Sequence, residues 1–75
     1  MFKVIVLNPK HELFEGTARN VILPGDRGEF EVLDFHRPII SLLKEGNIVI
    51  DGKLLPIKRG VAKFCKDELV ALVEE

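Results

Sequence analysis

Apolar residues recur along the chain in short runs that alternate with polar ones and stop at Pro, Gly, Asn or Asp, the pattern of strands joined by turns. Phe2, Val4 and Val6 fall on one face of a first strand and Lys3, Ile5 and Leu7 on the other, with Asn8-Pro9 as its end. Leu13-Phe14-Glu15-Gly16 reads as a brief apolar touch and a turn. Residues 17–23 form a second strand that sets Ala18, Asn20 and Ile22 against Arg19, Val21 and Leu23, and Pro24-Gly25-Asp26 closes it. The stretch from 25 to 46 is expected to organise the rest. A Gly- and Asp-rich turn leads into the run Phe30 to Leu33, then a His36-Arg37-Pro38 corner, then Ile39 to Leu43 and a stop at Gly46. Pro38 fixes its own φ and pushes Arg37 toward extended geometry, so this corner is stiff and projects its polar side chains.

Beyond Gly46, residues 47–50 and 53–57 flank Asp51-Gly52, a hairpin signal because a type I′ turn needs positive φ at both central residues. Pro56 cannot donate to a ladder, which places its strand at an edge or at a bulge. Gly60 opens a run over 61–65, and Lys66-Asp67-Glu68 turns the chain into 69–73. Two stretches stay open between strand and helix. Residues 68–75 offer Asp67 as an N-cap with Leu69, Leu72 and Val73 at helical spacing, and residues 38–44 are long enough for one or two helical turns. The even spacing of turn signals favours an all-β sandwich or barrel.

Composition narrows the partners. At 75 residues the chain is one domain, and a domain this small buries only roughly 60% of the surface its unfolded chain exposes. Docking into an assembly would supply the missing burial. A net charge of -1 argues against bulk electrostatic binding of nucleic acid or of a membrane surface. Nothing reaches the roughly 20 apolar residues of a membrane helix, and no signal segment precedes Asn8-Pro9, so membrane association without insertion is expected, through an embedded partner. The single cysteine, Cys65, has no partner for an internal disulfide and reads as an ordinary strand residue.

Candidate chemistry is sparse. Glu29, Glu31, Asp34 and His36 include acid, base and ligand types, but Glu29 and Glu31 share one strand face while Asp34 lies beyond it toward the turn. His11 and His36 are far apart in sequence and no zinc spacing is present. Ser41 and Cys65 sit in apolar runs without the glycine elbow of a nucleophile. Gly25-Asp26-Arg27-Gly28 is too short and too acidic for a phosphate loop. No catalytic residue, metal or cofactor is expected.

The ordered set of motifs resembles the N-terminal β-domain of the epsilon subunit of rotary F-type ATP synthases. Lys3-Val4-Ile5-Val6-Leu7-Asn8-Pro9, Leu13-Phe14-Glu15-Gly16, Val21-Ile22-Leu23-Pro24-Gly25, Gly28-Glu29-Phe30, Val32-Leu33, His36-x-Pro38 and Leu43-x-x-Gly46-x-Ile48-x-Ile50 follow one another in register over essentially the whole chain. The resemblance implies a flattened sandwich of two antiparallel sheets, with both ambiguous stretches as strands. It implies a non-catalytic rotor subunit of the central stalk that couples the gamma subunit to the membrane c ring. Glu29 and its neighbour Phe30 would then meet the polar loops of the ring, and the corner of His36 and Pro38 would face gamma. The implied place is peripheral, on the cytoplasmic face of the inner or plasma membrane.

Departures from the family pattern are local. Leu33-Asp34-Phe35-His36 stands where Leu-Pro-Gly-His is usual, Glu31 replaces a glycine, and Arg59-Gly60 replaces Gly-Gly. The family usually continues into a helical hairpin that senses nucleotide; residues 1–75 read as the β-domain alone, with that hairpin absent. A stand-alone β-module that binds another protein, related to the synthase by ancestry only, is the alternative reading.

Overall fold

The computed structural model describes all of residues 1–75 and contains nine strands. They are β1 (Phe2–Leu7), β2 (Glu12–Ala18), β3 (Asn20–Gly25), β4 (Gly28–Leu33), β5 (Ile39–Leu43), β6 (Gly46–Ile50), β7 (Lys53–Ile57), β8 (Arg59–Cys65) and β9 (Glu68–Glu74). The ladder runs β2-β1-β9-β8-β5-β3-β6-β7, with β4 attached to β3. It is antiparallel throughout except that β9 slots between β1 and β8 and runs parallel to β1. The sheet curls back on itself, so the expected all-β sandwich forms as two halves of one continuous ladder. Its inward faces meet in a cluster of 16 buried apolar residues that includes Phe2, Val4, Val6, Val21, Ile48, Phe64 and Leu69. Phe2 and Phe64 pack edge to face with ring centroids 5.4 Å apart, a geometry that suits the quadrupoles of the two rings.

Both ambiguous stretches are strands. Lys66 and Asp67 have φ of 52° and 59°, which makes a two-residue turn that pairs Cys65 with Glu68 and commits residues 68–74 to the sheet. Leu69, Ala71 and Val73 then alternate into the core while Leu72 is 51% exposed; a helix would have put Leu69 and Leu72 on one side. Asp51 and Gly52, at φ of 47° and 87°, form the expected hairpin between β6 and β7. Pro56 lies on β7, an edge strand, as its missing donor requires.

Three expectations are corrected. Leu13 to Gly16 is the body of β2, with Leu13 as the extra residue of a bulge opposite Val6 and Leu7. The expected strand over 17–23 is broken at Arg19, where the chain leaves the β1 ladder and enters that of β4 and β6. Ala18 and Val21 are both buried, three residues apart, so the alternation switches face at this corner. The third correction concerns the centre of the fold. The 25–46 stretch does not organise the rest: its strands are not neighbours, since β4 pairs with β3 through the tight Asp26-Arg27 turn and β5 pairs with β8. The branching strand is β3, which meets β4 along one side and shares its other side between β6 and β5.

Candidate partner interface

Glu29 projects from the exposed face of β4, one residue past the Gly28 turn, and Glu31 and Leu33 follow it on that face. Phe30 and Val32 point the other way. Phe30 is half-buried against the core, where its ring edge lies 2.9 Å from the place a Cβ would take at Gly25. Phe30 therefore orients the hairpin tip that carries Glu29 and offers little surface of its own. His36 sits beyond the far end of the same strand. Its ring packs edge to face on Phe64, centroids 5.9 Å apart, while Nδ1 lies 2.7 Å from the Arg37 carbonyl; the His36 backbone N–H donates to the Leu33 carbonyl at 3.2 Å. Pro38 is exposed and leads directly into β5. The four candidate residues are thus strung along β4 and its following corner, with Glu29 and His36 at opposite ends.

The acidic residues do not converge. Glu31 accepts the Asn20 side-chain amide at 2.8 Å, Asp34 accepts the Met1 ammonium at 2.8 Å, and Glu29 stands apart from both contacts. No group of three or more His, Cys, Asp or Glu comes within metal-binding reach.

Each departure from the family pattern has a local account. Phe35 occupies the usual glycine position with φ of 63° and is 88% exposed; a bulky residue adopts this conformation only under strain. Asp34, in place of proline, ties this corner to the first residue of the chain. At Arg59-Gly60 the second position is the one that must lack a side chain, because a Cβ on Gly60 would collide with the Leu72 carbonyl and approach Val73 Cγ1 to 2.9 Å. Arg59 lies at the surface and its Nε donates to Glu74 at 2.9 Å, a contact that raises the guanidinium pKa further.

Sequence reasoning passed over one surface. Register sets Leu42, Val61, Leu72 and Leu7 side by side across β5, β8, β9 and β1. Leu42, Val61 and Leu72 line an open apolar depression of about 600 Å³ rimmed by Asp26 and the Arg59–Glu74 ion pair. The signal was present in the alternation of each strand, but only the strand order brings these positions into one row.

Fold and surface together define a class, a small all-β sandwich whose candidate residues lie along one strand and the corner after it. Residues 1–75 match the family described as ATP synthase, Delta/Epsilon chain, beta-sandwich domain, and the chain belongs to that family. The ATP synthase epsilon chain of Campylobacter curvus is 36% identical over 74 residues, covering 92% of this chain and 57% of that relative. The ATP synthase epsilon chain of a Nitratiruptor species is 38% identical over 77 residues, covering 96% of this chain and 60% of the relative. The chain therefore spans less than two thirds of the length of these relatives. A similar fold occurs in a cryo-EM structure of Tetrahymena thermophila mitochondrial ATP synthase, central stalk and c ring, with a TM-score of 0.79 at 10% identity, over 97% of this chain and 63% of that one.

Proposed function

We propose that this domain is a non-catalytic collar of a rotary ATP synthase, seated between a gamma-type shaft and the membrane c ring so that the two turn together. The observation that carries this reading is the match of residues 1–75 to the delta/epsilon β-sandwich domain, supported by epsilon chains more than a third identical over nearly the whole chain. Glu29, on the exposed tip of β4, meets the polar loops of the ring, with Phe30 holding that tip in place. His36 and Pro38, at the opposite end of the strand, face the shaft. Separation of the two contacts along one stiff strand is what a collar needs, since torque received at one end must reach the other without local bending. The domain is held peripherally at the cytoplasmic face of the membrane by these partners, and no helix in it is long and apolar enough to cross one.

The test is binding. The purified chain is mixed with a gamma–c-ring subcomplex stripped of its own epsilon subunit and run by gel filtration. Co-elution at equal stoichiometry with gamma is the expected result. A folded, monodisperse chain that fails to co-elute would leave the stand-alone interaction module as the better reading.

A further inference from the structure

We draw no further inference here: the strongest candidate, the apolar depression that Leu42, Val61 and Leu72 line across β5, β8 and β9, is an unpartnered sheet face, and nothing in the structure shows what covers it.

Discussion

Asp51 and Asn20 exchange two hydrogen bonds. The Asn20 N–H donates to Asp51 Oδ1 at 3.0 Å, and the Asp51 N–H donates to the Asn20 carbonyl at 3.1 Å. The same Oδ1 also accepts the Arg19 N–H at 2.9 Å. A turn residue of the β6–β7 hairpin thereby holds the corner at which the chain passes from β2 to β3, and satisfies two donors that the break in the ladder would otherwise leave to water.

These contacts fix a pH dependence. The bonds from Asn20 and then Arg19 hold the Asp51 carboxyl below its usual value. A carboxylate whose folded pKa is depressed contributes stability in full above its unfolded value of about 3.9, and the contribution is lost as the pH falls through the lower folded value. We expect Asp51→Asn to lower the urea midpoint at neutral pH and Asp51→Ala to lower it further, since alanine also sits poorly at φ of 47°. The gap between wild type and Asp51→Asn should close as the pH is taken below about 4. An unchanged gap between neutral and acidic solution, about pH 7 and about pH 3, would show that the charge contributes nothing.

Phe35→Gly should stabilise the domain. Glycine adopts a φ of 63° without strain, and little packing is lost from a ring that is 88% exposed. Relief of the left-handed penalty, less the entropy of a more flexible unfolded chain, leaves a gain of about 0.5–1 kcal/mol. Chemical denaturation measures it directly.

Gly60→Ala should destabilise the domain by about 1–3 kcal/mol, because the new methyl has to displace the Leu72 carbonyl and Val73 on the neighbouring strand of the β8–β9 ladder. Arg59→Gly, which restores the usual family pair, should change stability little, since the Arg59–Glu74 contact is at the surface. Urea melts of the two variants side by side distinguish the position that needs glycine from the one that does not.

At the proposed ring contact, a cysteine replacing Glu29 should cross-link to a cysteine in the polar loop of the c subunit. Labelling of that position by a bulky thiol reagent at full speed in the assembled enzyme would count against the contact. Glu29→Ala in the isolated domain should leave stability within about 0.5 kcal/mol of wild type, as for other exposed substitutions.

Added to an enzyme depleted of epsilon, the 75-residue chain should restore coupling between rotation and ion flow without inhibiting ATP hydrolysis. It should also show no nucleotide binding by calorimetric titration, because no glycine-rich phosphate loop precedes a helix N-terminus anywhere in a structure built of strands alone. Strong inhibition by the domain, or micromolar affinity for ATP, would reveal a regulatory site on the β-sandwich itself.

Much of this architecture was legible in the residues. Period-two alternation located β1, Asp51-Gly52 marked its hairpin, and Pro56 assigned β7 to an edge, because each of these is a local backbone requirement. Pairing was not local. Nothing near Gly28 or Ile39 says that β4 returns along β3 while β5 crosses to β8, and the break at Arg19 is set by a carboxylate 32 residues away. The candidate site divides the same way. Glu29, Phe30, His36 and Pro38 are candidates through the family resemblance alone, whereas the apolar row of Leu42, Val61 and Leu72 exists only because β5, β8 and β9 are neighbours in the sheet.

The last strand lies inside the sheet, between the first strand and the eighth. Such an arrangement bears on how the protein is made. A chain emerging from the ribosome can form the β1–β2 and β3–β4 hairpins early, but one side of β1 has no partner strand until residues 68–72 of β9 arrive. The β1–β9 ladder therefore closes only after the hairpins have formed, across nearly the whole chain, and such a contact of long sequence separation slows folding. Nascent chains halted before Leu69 should be held as open, chaperone-dependent intermediates with their apolar strand edges exposed, and release of the final strand should close the domain in a single step.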